Sequence, residues 1–220
     1  MGQPSRAPVT PAIPQASRLR TVVASPIVFL LTLVPLSAQT DPKGAAPEII
    51  GHALGDPEAP VMVVEYADFA CSACAEFAVD TWPRVRRELV ESGRVYWRVV
   101  PFSLGFRHGR RAARAGECAA AQGGFWSMHD ALFAEQRRWM EPRRPEDTFE
   151  EMAETLGLDP RALRECIDDD IPEDRIDRAQ DEAEDAGVRA TPTFLVNGRP
   201  VLGALPFDMF LQAVQAAGGR

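Results

Sequence analysis

The sequence is poor in the residues that would point to a nucleic-acid partner. Its 220 residues include 24 basic and 32 acidic side chains, giving a formal net charge of -8, and Lys43 is the single lysine. Proteins that bind DNA or RNA present clusters of basic residues to the phosphates, and no basic run of that kind occurs in this chain. Nucleic acid is therefore not an expected partner.

Metal ligands and cofactor motifs are also scarce. The chain has three scattered histidines and four cysteines, and no second Cys-x-x-Cys motif or histidine pair that would complete a zinc site. No flavin or nucleotide motif is present. We assign the histidines no catalytic role, and we expect neither a metal nor an organic cofactor, so that any chemistry belongs to the cysteines.

A long uncharged run is found near the N-terminus. Residues 21–38 (TVVASPIVFLLTLVPLSA) carry no charge and follow two arginines. This order, ending in a small residue at Ala38, is typical of a secretory signal, and 18 residues are also just enough for a membrane anchor. We therefore expect residues 1–38 to be a signal peptide or signal anchor and residues 39–50 a linker. The rest of the chain would lie outside the cytoplasm, in the periplasm, in the cell envelope or secreted.

Residues 51–220 are predicted to form one α/β domain. The apolar, β-branched run 61–66 and the run 94–101 favour two strands, with a helix between them. A helical insertion follows at about residues 105–187. The strand 193–196, an Asn-Gly hairpin turn and an amphipathic helix close the chain. The predicted order is therefore β-α-β, helical insertion, β-β-α.

Two cysteines, Cys71 and Cys74, lie where the first predicted helix begins. Free backbone N–H groups and the positive end of the helix dipole stabilise a thiolate there. In Cys-x-x-Cys motifs the cysteine pKa falls from about 8.5 to roughly 3.5–7.5. This position favours a redox pair, in which Cys71 exchanges with a substrate thiol and Cys74 resolves the mixed disulfide.

Two other interpretations of the cysteines stay open at this point. Cys118 and Cys166 could join the first pair in a four-thiolate metal site. A purely structural link between Cys71 and Cys74 is also conceivable, although so small a loop adds little stability. Disulfides form and persist in an oxidising compartment. Four cysteines can form two disulfides in three different pairings.

Three motifs in order carry a family resemblance: EYADFACSAC, GFWSMHDALF and GVRATPTFLVNGRP. Together they resemble the DsbA-like thiol–disulfide oxidoreductases, over about residues 51–217. The resemblance implies a thioredoxin fold with a helical insertion and an enzyme that introduces disulfides into reduced or unfolded proteins. It also implies a membrane redox partner for reoxidation, and we expect a monomer.

The resemblance implies roles for individual residues as well. Thr191 and Pro192 resemble the cis-proline dipeptide that packs beside the active disulfide and offers backbone groups to a substrate strand. Glu65 resembles the buried acid on the strand before the motif. Burial would raise its pKa and let it take the proton of Cys74.

Family members with a second cysteine pair suggest a structural disulfide between Cys118 and Cys166. On chain entropy such a bond would contribute roughly 4 kcal/mol. Within the same fold, the alternatives are a protein-disulfide reductase or isomerase, and a non-catalytic peptide-binding module.

One departure from the family concerns the residues between the active cysteines. The strong oxidants often carry Pro-His there, whereas this chain has Ser72 and Ala73, which are uncharged. We therefore expect a less depressed thiol pKa and a milder oxidant. Near this turn, Phe69 and Trp82 are expected to form an apolar surround that accepts extended peptide.

Overall fold

A computed structural model of the chain describes residues 50–218. These residues form a five-stranded sheet with the order β1-β3-β2-β4-β5. The strands are β1 (His52–Leu54), β2 (Val61–Ala67), β3 (Val95–Pro101), β4 (Thr193–Val196) and β5 (Arg199–Leu202). Strands β2 and β3 are parallel and the other neighbouring pairs antiparallel. The predicted leader and residues 39–49 of the predicted linker lie outside the described residues.

Strand β2 is central because nearly all of its residues are apolar and buried. Its neighbours on the two sides are β3 and β4, so that Glu65 pairs with Val99 in one strand and with Phe194 in the other. An acidic residue is thus placed in the middle of the sheet. The edge strand β1 was not predicted, because three residues are too few to show an alternating pattern.

The chain from β2 to β3 winds through one long, irregular helical segment. It consists of α1 (Ser72–Glu76), a π-helical turn (Phe77–Thr81), α2 (Trp82–Val85) and a second π-helical turn (Arg86–Val90). Pro83 lies within this irregular segment. Pro83 lies in the first turn of α2, where its missing N–H is tolerated.

Six helices occupy the insertion between β3 and β4, and one closes the chain. The insertion contains α3 (Gly109–Ala120), α4 (Phe125–Ala134), α5 (Gln136–Met140), α6 (Glu146–Thr155), α7 (Pro160–Asp168) and α8 (Glu173–Asp185); α9 (Phe207–Ala216) follows β5. Helices α4 and α5 are separate, because the chain leaves helical geometry at Glu135 and restarts as α5.

Polar contacts fasten the insertion to the sheet. Glu182 of α8 accepts a hydrogen bond from the Tyr66 hydroxyl (3.0 Å) and pairs with Arg98 of β3. On the other side, Glu117 of α3 binds His52 of β1 at 2.9 Å. Side chains of the insertion therefore form polar contacts with side chains of three of the five strands, β1, β2 and β3. The predicted α/β thioredoxin fold with a helical insertion is confirmed.

Within residues 50–218, no helix is long and apolar enough to cross a membrane.

Candidate active site

The first predicted site residue, Cys71, is the N-cap of α1. Its backbone is extended (φ -81°, ψ 125°), and its carbonyl accepts the first helical bond, from Ala75 N at 3.1 Å. Cys71 is 8 % exposed, whereas Cys74, one turn along, is fully buried. The pair is a free dithiol in this structure. Cys71 thus keeps a small exposed surface, whereas Cys74 has none.

Hydrogen bonds make Cys71 an unusually acidic thiol. A hydrogen bond from the Cys74 side chain is the main cause that lowers its pKa, to about 5, while burial acts in the opposite direction. The Thr191 side chain and the backbone N–H groups of Cys74 and Ala73 lower the pKa further. The helix start therefore contributes as expected, but the neighbouring thiol contributes more.

Cys74 is shifted the opposite way. Burial raises its pKa well above the ordinary value, and the hydrogen bond and charge of Cys71 and the charge of Glu65 add to the increase. The two thiols of one motif therefore differ in acidity, with the exposed one ionised and the buried one protonated at neutral pH.

Thr191 and Pro192 come just before β4, and Thr191 contacts Cys71. The Cys71 thiol donates a hydrogen bond to the Thr191 carbonyl (3.4 Å), and the Thr191–Pro192 peptide bond is cis. The Thr191 hydroxyl is buried and has no hydrogen-bond partner among the described residues. When Cys71 is ionised, its sulfur no longer donates, and this hydroxyl is available to stabilise the negative charge.

Glu65 occupies the predicted position beneath the motif. It is 2 % exposed, and burial raises its pKa to about 8, with the Trp97 side chain acting in the opposite direction. At neutral pH its carboxyl group is therefore mostly protonated. In its ionised form Glu65 raises the pKa of Cys74, so the two groups are electrostatically coupled, and the protonated carboxyl group is suited to exchange a proton with that sulfur.

Asp68 also belongs to the site and was not predicted, although it lies within the first motif. Its carboxylate accepts hydrogen bonds from Ala70 N and Leu104 N, both at 2.8 Å, and its carbonyl accepts one from Cys71 N at 3.0 Å. Asp68 thus shapes the active-site turn, residues 68–71. The signal was available, because Asp commonly bonds the backbone N–H two residues later in turns.

The predicted apolar surround for a peptide was wrong. Phe69 and Trp82 are 2 % and 3 % exposed and pack around His129, which is equally buried and whose Nδ1 lies 2.8 Å from Asp130 Oδ1. Large aromatic side chains beside the sheet stabilise the fold more when they are buried in the core than when they are exposed. They support the active-site turn from below and leave no face for a substrate.

The remaining cysteines are joined in a disulfide. Cys118 of α3 and Cys166 of α7 have Cα atoms 5.9 Å apart, and the bond spans 48 positions of the sequence. It lies within the hydrophobic core of the insertion. No cluster of side chains suited to a metal ion is found from Ile50 to Gly218.

Comparisons with known proteins agree with this architecture. A sequence profile of the family described as "Thioredoxin" matches residues 48–216. The chain is 26% identical to "Disulfide bond formation protein D" of Bacillus subtilis, with 80% of this chain and 81% of that protein covered. The crystal structure of alpha-DsbA1 from Wolbachia pipientis superimposes with a TM-score of 0.69 at 22% identity, covering 79% and 92% of the two chains.

A further relative is much longer. The "Na(+)/H(+) antiporter NhaA 3" of Salinispora tropica is 37% identical over 204 residues, which are 92% of this chain but 28% of the antiporter. The similarity therefore concerns one part of that protein.

The chain belongs to the thioredoxin family, and its fold is that of the DsbA-like members. The resemblance stated from the three motifs is confirmed.

Proposed function

We propose that this chain is an extracytoplasmic protein-disulfide oxidoreductase that introduces disulfides into protein substrates. The observation that carries the proposal is the pairing of an acidic, slightly exposed Cys71 with a buried, weakly acidic Cys74 at the start of α1. A thiolate that is stabilised in the reduced enzyme favours reduction of the Cys71–Cys74 bond, so the oxidised form accepts electrons from substrate thiols.

The reaction begins with the oxidised Cys71–Cys74 bond. A substrate thiolate attacks the Cys71 sulfur, the sulfur–sulfur bond breaks, and the electron pair leaves on Cys74. Because the pKa of Cys74 is raised, this sulfur needs a proton, which the neutral Glu65 carboxyl group supplies. The product is a mixed disulfide between the substrate and Cys71.

A second substrate thiolate completes the exchange. It attacks the substrate sulfur of the mixed disulfide, and Cys71 leaves as a thiolate stabilised by its hydrogen bonds. The substrate gains one disulfide and the enzyme gains two electrons. Thr191 and Pro192, whose backbone lies beside Cys71, are proposed to hold the substrate strand during both steps.

The same proposal includes the setting of the reaction. The reduced enzyme must return its two electrons, and we assign that step to a membrane protein, with reduced or unfolded proteins as substrates. The Bacillus subtilis relative is named for disulfide bond formation, which supports an oxidising role. Residues 1–38 are proposed as the export signal or anchor, with residues 51–220 as the enzymatic domain, working as a monomer.

Equilibration of the purified protein with glutathione buffers tests the direction of exchange. We expect a reduction potential above about -200 mV and oxidative refolding of a reduced disulfide protein. A potential near that of thioredoxin, about -270 mV, would identify a reductase instead. The Cys71→Ala variant is the negative control for both assays.

A further inference from the structure

A side chain of the insertion forms hydrogen bonds to the active-site turn. Gln136 is the first residue of α5, and its amide nitrogen donates hydrogen bonds to two backbone carbonyls, Phe69 O at 2.7 Å and Cys71 O at 2.9 Å. The two acceptors stand on either side of Ala70. One side chain from elsewhere in the fold therefore binds the peptide group between Phe69 and Ala70 and the peptide group between Cys71 and Ser72.

Helix α5 is itself held firmly in place. Trp139 is fully buried, its indole N–H donates to Leu132 O at 2.7 Å, and its ring packs at 5.8 Å from that of Phe149. The irregular geometry at Glu135, which separates α5 from α4, sets the direction in which α5 starts. Gln136 is thus presented to the turn by a rigid element and loses little additional freedom on binding it.

The hydrogen bonds that Asp68 and Gln136 make to the turn are complementary. Asp68 accepts from the N–H of Ala70, whereas Gln136 donates to the carbonyls of Phe69 and Cys71. Donors and acceptors of the turn are therefore engaged by different side chains. The Cys71 carbonyl receives two donors, Gln136 and Ala75 N, so that its orientation at the helix start is defined from outside the helix as well as from within it.

We propose that Gln136 is a positioning residue, which holds Cys71 so that the N–H groups of Ala73 and Cys74 face its sulfur. Its amide also places positive charge density on a carbonyl oxygen that would otherwise repel a neighbouring thiolate. The helical insertion then takes part in the proposed exchange reaction, on which this inference rests. No atom of Gln136 reacts.

The Gln136→Leu variant removes both hydrogen bonds. A cleft of about 440 Å³, lined by Ser72, Ala75, Phe133 and residues 134–138, opens beside this position and leaves room for the new side chain. Since one or two hydrogen bonds are worth about half a pKa unit to one unit here, we expect the pKa of Cys71 to rise by that amount. The rate of Cys71 alkylation at pH 5 should fall about two- to fivefold.

Gln122→Leu is the matched control. The Gln122 side chain also makes two backbone hydrogen bonds, donating to Asp159 O (3.2 Å) and accepting from Asp159 N (2.8 Å), but it ties α3 to the start of α7. Loss of stability should be similar in the two variants, whereas only Gln136→Leu should shift the pH profile of alkylation. An equal shift in the Gln122 variant would assign the effect to general loosening and overturn the proposal.

A second variant, Gln136→Glu, keeps the size of the side chain. Above its own titration it presents a carboxylate to the two carbonyls, so the pKa of Cys71 should rise by more than in Gln136→Leu. If either folded variant has the profile of the unaltered protein, the inference is wrong. If the unaltered protein itself shows an ordinary cysteine titration, the proposed function fails, whatever the variants do.

Discussion

The two cysteine pairs of this chain differ in where their cysteines lie along helices. Cys71 immediately precedes the first residue of α1, where backbone N–H groups are free. Cys118 and Cys166 each lie two residues before the last residue of their helices, α3 and α7, where the free groups are carbonyls. The positive helix end stabilises a thiolate and the negative end disfavours it.

The comparison also extends to the surroundings. Cys71 keeps an exposed fraction of 8 % and has a thiol, an amide pair and a threonine around it. Cys118 is 1 % exposed and is surrounded by the apolar core of the insertion. Cys166, its partner, is only partly buried. Exposure therefore does not separate the two pairs, and the difference lies in the groups that stabilise a thiolate at Cys71. The spacing of the cysteines in the sequence is the smaller part of the difference.

The largest expected effect follows from removing one sulfur of the first pair. Cys71→Ala should abolish disulfide exchange, because no other thiol of the site is reachable. Insulin reduction or oxidative refolding measures it, and the double variant Cys118→Ala/Cys166→Ala is the control that should keep nearly full activity. A folded double variant without activity would contradict the assignment of exchange to the first pair and of stability to the second.

The charge state of Glu65 should appear in the stability of the protein. Its pKa is about 8 in the fold and near 4.5 when unfolded, so the stability it contributes is present below pH 4.5 and is lost as the pH rises through 8. Relative to Glu65→Gln, the oxidised protein should lose at most about 5 kcal/mol over this range. The oxidised form is chosen because Cys71 would otherwise titrate with the opposite sign.

Urea unfolding of both proteins at pH 5 and pH 8 measures this difference. Parallel curves at the two pH values would show that Glu65 is ionised at neutral pH and is not a proton donor for Cys74.

The second cysteine pair should matter for stability instead of exchange. Replacing both Cys118 and Cys166 by alanine opens a loop of 48 positions and should lower the free energy of unfolding by about 4 kcal/mol. Denaturant titration measures the change, and the pH profile of Cys71 alkylation should remain as in the unaltered protein. A shifted profile would mean that the two pairs are coupled through the core of the insertion.

The smallest effect is expected at the hydroxyl beside the active sulfur. Thr191→Val keeps the carbonyl that contacts Cys71 but removes the hydroxyl, so the pKa of Cys71 should rise by about half a unit. In the oxidised protein, which has no Cys71 thiolate, stability should not fall, since a buried hydroxyl without a partner is removed. Alkylation rates between pH 4 and pH 8 report the shift, and an unchanged profile would mean that the Thr191 hydroxyl does not stabilise the thiolate.

Much of the fold could be predicted from the sequence because its signals are local. The strand over 61–66, the helix starting after Cys71 and the Asn-Gly hairpin each follow from a short stretch of residues. The edge strand β1 and the break between α4 and α5 could not, because both depend on what they pack against. The aromatic residues Phe69 and Trp82 were misplaced for the same reason.

The site divides along the same line. Cys71, Cys74 and Glu65 were recognisable because each stands in a pattern that makes little sense otherwise. Gln136 was not, since a glutamine near the end of a helix has many uses, and only the folded chain shows that it reaches the turn 65 positions earlier. Contacts of this range have no signature in a single sequence.

The sulfur of Cys71 and the carbonyl of Thr191 meet across 120 positions of the chain. During translation Cys71 is therefore synthesised long before the Thr191 carbonyl that it contacts in the folded protein. Until residue 191 has been synthesised, the site lacks Thr191 and Pro192, and the nascent polypeptide carries its dithiol without them.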